Sequence, residues 1–367
     1  MKASPLIESD DDPRWDFGPC GGLVGVDTEF MRTRTFYPIP ALYQIGGEDG
    51  VRLIDAQARQ GFDPLRALLT DAARTKVMHA CSEDLEMIDR HLGLRPVAVV
   101  DTQVAHAFLA PDISKSYAAV VQTYLGFVIS KRETRSDWLR RPLSDRQLAY
   151  AKEDAAHLVP LWSRMHERLE AGGRLSWFED EMSMMLARPE PNPREYYRGM
   201  KGAGRLRPPK LAVLRSIATW REQEARRRDI PRAYVVRDED LVAVAEAAPV
   251  SRDGLLRMLP KGARRRYADA ILSACAKGWE ERDRAPPDPL PRPLSGRERT
   301  VAKRMRDSVH AVADRLGMAP ELLGRRRLIE ACARRYFATG DLPEALLGWR
   351  APLLGERFVE LLRAARG

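Results

Sequence analysis

The spacing of hydrophobic positions divides the chain into a strand-rich first part and a helical remainder. Residues 23–30, 41–46 and 51–54 are short apolar runs that read as strands, the second and third separated by a Gly46-Gly47-Glu48-Asp49-Gly50 turn, a meander. Asp63 reads as the N-cap of a helix through Leu65, Leu68 and Leu69, and residues 76–79 as a fourth strand. Ser82 is expected to cap a helix whose Leu85, Ile88 and Leu92 recur at helical spacing. Residues 97–100 give a fifth strand ending at Asp101, and a helix is expected over 102–109. Residues 116–162 are mainly helical apart from a loop over 130–142. Three antiparallel strands followed by strand and helix in alternation predict an α/β domain with a mixed sheet.

Two breaks follow. Residues 189–210 carry five prolines and three glycines, and 284–293 are proline-rich enough to act as a semi-rigid spacer. Around them Leu211, Leu214, Ile217 and Ala218 mark an amphipathic helix, and Leu241, Leu255 and Tyr267 are loosely echoed by Leu328, Leu346 and Phe358. The expected organisation is an α/β domain over 1–195, a linker and helical domain over 196–284, and a spacer with a second helical domain over 285–367.

Composition sharpens this plan. With 367 residues, 44% of them apolar, the chain can build two or three cores. No run approaches the ~18–20 apolar residues of a membrane span, and the acidic start lacks a signal-peptide core, so a cytoplasmic location without membrane attachment is expected. The four cysteines, Cys20, Cys81, Cys275 and Cys332, show no paired spacing and read as reduced structural thiols. The net charge of +9 is unevenly placed: residues 1–200 hold 25 Lys and Arg against 30 Asp and Glu, and 201–367 hold 36 against 22. Chemistry in an acidic half and polyanion capture in a basic half is the separation this suggests. Arg226-Arg227-Arg228, Arg264-Arg265-Arg266 and Arg325-Arg326-Arg327 are candidate phosphate contacts.

The chemistry begins in the first strand, where an apolar run suddenly carries Asp27 and Glu29. Strand side chains alternate, so both carboxylates point to one face, and two like charges there need a cation between them. A hard divalent metal suits such a pair. Asp84 lies in the first turn of a helix that follows a strand, and Tyr150 and Asp154 stand four apart on one helix face. Asp101, after the fifth strand, reads as support for the sheet or the helix start.

Asp27-x-Glu29, then His79-Ala80-Cys81-Ser82-Glu83-Asp84-Leu85, then Tyr150-x-x-x-Asp154 resemble the three exonuclease motifs of the DEDDy group, with the order and spacing of the bacterial ribonuclease D family. Asp101-Thr102-Gln103 and the run from Ser136 to Leu143 match as well, and two later segments, around Trp220-Arg221 and Gly348-Trp349-Arg350, resemble that family's HRDC domains. The resemblance implies a ribonuclease-H-like mixed-sheet exonuclease domain followed by two small all-helical HRDC-type domains. It also implies that Asp27, Glu29, Asp84 and Asp154 ligate two Mg²⁺ or Mn²⁺ ions. Two metals ~3.5–4 Å apart can activate a water and neutralise the leaving oxygen. Tyr150 would orient that water, since a phenol is a poor base at neutral pH. Thr28, Met31 and His79 are the candidate substrate contacts. The activity implied is 3′-5′ exoribonucleolytic release of nucleoside 5′-monophosphates from tRNA precursors and other small stable RNAs with a free 3′ end, by a monomer. A 3′-5′ exonuclease acting on DNA is the enzymatic alternative, because the same four carboxylates serve both. A non-catalytic RNA-binding protein, or a protein-interaction scaffold using the helical part, belongs to a different class.

Overall fold

The computed structural model describes residues 4–17, 22–59, 61–129, 133, 136–343, 346 and 348–366; Cys20, part of the 130–142 loop, and Glu344, Ala345 and Leu347 of the second helical motif lie outside them. The chain divides into two units. The first is Met1–Met31, Ile39–Arg188 and Leu294–Gly367; the second is Arg32–Pro38 and Pro189–Pro293.

The first unit is built on a five-stranded mixed sheet. Its strands are β1 (Gly22–Met31), β2 (Ile39–Gly47), β3 (Gly50–Asp55), β4 (Arg74–Met78) and β5 (Val99–Asp101), in the order β3-β2-β1-β4-β5. β1 is antiparallel to β2 and parallel to β4, as the meander followed by alternation requires. The intervening helices are α1 (Asp63–Thr70), α2 (Ser82–Leu92) and α3 (Thr102–Leu109). Then come α4 (Tyr117–Leu125), α5 (Asp145–Ala156), α6 (Leu158–Ala171) and α7 (Leu175–Leu186).

Two helix starts differ from the sequence expectation for one physical reason. Asp63 and Ser82 are already helical, and Phe62 and Cys81 occupy the cap positions without a capping side chain. Distant carboxylates take over: Asp10 accepts from Gly61 and Phe62 N–H (both 2.9 Å), and Asp101 accepts from Ala80 and Cys81 N–H (both 2.9 Å). Local sequence cannot reveal a cap supplied from tens of residues away.

Where α5 meets α6, two glycines let a helix end lie almost on the sheet. Gly25 and Gly46 are cross-strand partners, and a Cβ on them would stand 2.8 and 2.5 Å from the Ala155 carbonyl oxygen. Because strand side chains alternate, this contact falls on the face that carries Asp27 and Glu29. α5 begins with a complete capping box, Ser144 with Gln147, which fixes its rotation.

The second unit is all-helical: α8 (Pro208–Arg228), α9 (Arg232–Val235), α10 (Asp238–Ala247), α11 (Arg252–Met258) and α12 (Lys261–Arg284). A Cβ on Gly278 of α12 would meet Val213 Cα at 2.6 Å, so the two long helices cross at backbone contact. The fully buried Arg221 donates to Val236 O (3.0 Å) and to Asp238 (2.6 Å).

The last helices return to the first unit. α13 (Gly296–Leu316), α14 (Pro320–Gly324), α15 (Arg326–Thr339) and α16 (Glu356–Arg366) follow the second unit in sequence yet share the nuclease core. Trp349 packs on Phe108 (5.2 Å) and stacks on Trp177 (5.6 Å), Arg350 pairs with Glu181 (2.5 Å), and Ala319 N–H donates to Ala107 O (2.8 Å).

Candidate metal centre

Three of the four carboxylates singled out in the sequence meet at the C-terminal end of β1. Asp27, Glu29 and Asp154 each offer an oxygen within 4.8 Å of the others. The strand contributes the first two from one face, and the close docking of Ala155 brings Asp154 onto that face. A register shift between Glu29 and Phe30 breaks the β1–β2 ladder at this point; bulges of this kind re-aim side chains beside active sites.

Asp84 arrives differently. It sits in the first turn of α2, and its carboxylate accepts a hydrogen bond from the hydroxyl of Thr28, the residue between Asp27 and Glu29. Thr28 thus spends its side chain on orienting a carboxylate. The α2 start is itself held by Asp101, which spans the turn at Ala80, a residue in the left-handed region at φ 55. Asp101 additionally accepts from Gln103 N–H (2.8 Å), so one carboxylate ties β5, α3 and the Asp84 turn together.

Burial and mutual repulsion dominate the electrostatics. Burial first, then the charges of Asp154 and Asp84, push the Glu29 carboxyl up to about 9. Asp27 is driven well above the ordinary carboxylate range by burial and then by Asp84, Asp154 and Glu29. Burial lifts Asp154 to about 7 and Asp84 to about 6, opposed by hydrogen bonds from Tyr150 and Thr28 respectively. A cluster of half-buried, oxygen-only donors that repel one another is the donor set a hard divalent cation neutralises, and it disfavours zinc.

This arrangement fixes a sign for stability. Without metal the folded state holds protons that the unfolded chain, with carboxyls near ~4, would release, so stability falls as pH rises from ~4 through ~9. Metal replaces those protons. Thermal unfolding with and without Mg²⁺ should therefore show little metal stabilisation at about pH 5.5 and several degrees at about pH 8.5. Equal stabilisation at both values would contradict a carboxylate-held ion.

The remaining sequence candidates divide. Tyr150, on α5 one turn before Asp154, hydrogen-bonds to the Asp154 carboxylate and leans on the buried Trp138 at 6.0 Å. Met31 ends β1 opposite Ile39 and is half-buried. His79, expected as a substrate contact, is tied into the protein: Nε2 meets Lys115 O (3.1 Å) and Nδ1 meets the Thr102 hydroxyl (2.9 Å), so both ring nitrogens are engaged. Burial lowers its pKa and keeps the ring neutral. Tyr117 is the residue sequence reasoning missed. Its hydroxyl is buried, and burial with the charges of Asp27 and Asp154 outweighs a hydrogen bond to the His157 backbone and keeps it protonated. Lying between two motifs with no pattern of its own, it gave no signal beyond a helix start.

A mixed sheet whose central strand end gathers half-buried carboxylates from β1, α2 and α5 is the site of a divalent-metal-dependent enzyme, and likeness to known proteins makes it a 3′-5′ exonuclease. The family model described as 3′-5′ exonuclease matches residues 19–170, and the HRDC domain model matches 210–275. Ribonuclease D of Pseudomonas paraeruginosa is 38% identical over 350 residues, 93% of this chain and 92% of that protein. Ribonuclease D of Escherichia coli is 34% identical with the same coverage. The crystal structure of Escherichia coli RNase D, described as an exoribonuclease involved in structured RNA processing, superposes with a TM-score of 0.85 at 33% identity over 94% of both chains. The chain belongs to the ribonuclease D family and is a 3′-5′ exoribonuclease. Among the described residues no helix is long and apolar enough to cross a membrane.

Proposed function

We propose that Asp27, Glu29, Asp84 and Asp154 hold two Mg²⁺ or Mn²⁺ ions and that the enzyme removes nucleoside 5′-monophosphates singly from RNA 3′ ends. The observation that carries this is the half-buried cluster of Asp27, Glu29 and Asp154, whose oxygens lie within 4.8 Å of one another at the end of β1. When bound, the ions would supply Lewis acidity to the scissile phosphate and to a water. Asp27, Glu29 and Asp154 would hold an ion between them, and Asp84, oriented by Thr28, would add a further carboxylate to the set. Tyr150, anchored on Asp154 and Trp138, orients the attacking water by hydrogen bond. Thr28 and Met31 line the strand end where the terminal nucleotide would rest, Thr28 through its backbone. The substrates proposed are structured RNAs with a free 3′ end, tRNA precursors and other small stable RNAs among them, in keeping with the role described for the Escherichia coli relative. A cytoplasmic monomer fits this reading.

The experiment is a time course on 5′-labelled single-stranded RNA in Mg²⁺, Mn²⁺ or EDTA, beside a DNA strand of the same sequence. A metal-dependent ladder shortening one nucleotide at a time from the 3′ end of RNA is expected. Internal cuts, or RNA left intact with both metals, would reject the proposal; equal digestion of DNA would reject the RNA preference.

A further inference from the structure

Outside the carboxylate cluster, we propose that a pocket between α8 and α12 is a binding site for one nucleotide unit of single-stranded RNA, an inference that rests on the exoribonuclease reading. Trp220, Glu224, Arg227 and Arg228 of α8 recur at helical spacing and face Arg266 and Tyr267 of α12 around a cavity of about 480 Å³. Two rings make its apolar wall: Trp220 and Tyr267 meet edge to face, centroids 5.7 Å apart. Three guanidiniums share it with a single carboxylate. Glu224 is taken by Arg227 (3.0 and 2.8 Å). Arg228 donates to the Tyr267 hydroxyl and lies over that ring, and no carboxylate pairs with it among the described residues. Arg266 is exposed and has no ion-pair partner among them.

The contrast with neighbouring arginines is informative. Arg226 is neutralised by Glu190 and Glu222, Arg232 by Glu222, and Arg221 by Asp238. Of the sequence's candidate phosphate contacts, Arg226 is thus committed to the protein's own acids, whereas Arg228 and Arg266 keep an uncompensated positive charge beside a pocket. Guanidinium forks match phosphate oxygens, and an aromatic wall accepts a base face. A phosphate with a nucleobase attached satisfies both features at once. The base must be unstacked to reach the rings, which selects a single strand.

The test uses full-length protein in EDTA, with fluorescence anisotropy on a labelled RNA of about 30 nucleotides, long enough to engage more than one site. Arg266→Glu should weaken binding ~10-fold and make the salt slope shallower by roughly 0.7 for each phosphate that goes unneutralised. Arg265→Glu makes the same charge change one position away, outside the pocket, and should weaken binding less than ~2-fold. Quenching of tryptophan fluorescence on RNA addition, lost in Trp220→Phe, reports the stacking without removing the ring. In Mg²⁺, the wild-type protein should shorten the same RNA from its 3′ end, which reports the carboxylate cluster separately from the pocket. Equal losses from both charge reversals, or no loss from Arg266→Glu, would overturn the pocket. Failure of wild-type protein to shorten that RNA in Mg²⁺ would instead count against the exonuclease reading.

Discussion

Asp27→Asn should abolish RNA hydrolysis while making the metal-free protein more stable. Asparagine keeps the shape but removes one of the charges that the cluster needs for a cation. If the cation supplies ~5 kcal/mol of charge stabilisation in the transition state, its loss lowers the rate by roughly 10³–10⁴-fold. The stability effect has the opposite sign. Asp27 is half-buried beside Asp84, Asp154 and Glu29, so its ionised form is disfavoured in the fold. A neutral side chain removes that repulsion. Unfolding temperature in EDTA at about pH 8.5 should rise, and the benefit of added Mg²⁺ should shrink or vanish. Single-turnover kinetics and thermal unfolding on one preparation decide the matter: lost activity with a lowered unfolding temperature would mean damaged folding, and full activity would remove Asp27 from the site.

Tyr150→Phe should lower kcat by about 10²-fold and leave KM within a few-fold, because a hydroxyl that orients the attacking water acts on the chemical step. The ring and its packing on Trp138 persist, so the fold should tolerate the change. The variant also loses the hydrogen bond that lowers the Asp154 carboxyl. Its proton affinity then rises, and the ascending limb of the pH–rate profile should shift to higher pH. An unchanged kcat would leave Tyr150 as a packing residue. A changed kcat with an unmoved profile would separate the hydroxyl's action on water from its action on Asp154.

These two residues illustrate how the site could be read in advance. Asp27 and Glu29 share a face through the period of a strand alone, and Tyr150 and Asp154 through the period of a helix. The mixed sheet likewise followed from a meander succeeded by alternating strands and helices, whereas its order β3-β2-β1-β4-β5 came only with the structure. The motif order then tied these local facts to one family. His79 shows the limit. A histidine ending a strand beside the site looks available in sequence, but Thr102 and Lys115, from elements further on, occupy both nitrogens.

Periodicity and residue type alone determined the mixed sheet, the pairs of carboxylates, the helical C-terminal half and its surplus of arginine, because each depends only on the chain's own repeat and charge. Tertiary structure decided what distance decides. It set the approach of Ala155 to Gly25 and Gly46 that delivers Asp154, the remote caps from Asp10 and Asp101, and the burial of Tyr117 within reach of the charges of Asp27 and Asp154. It also sorted the arginines into those paired with acids and those left facing a pocket. None of these is written in a local pattern, since each joins residues far apart in sequence and its energy exists only once the chain has closed.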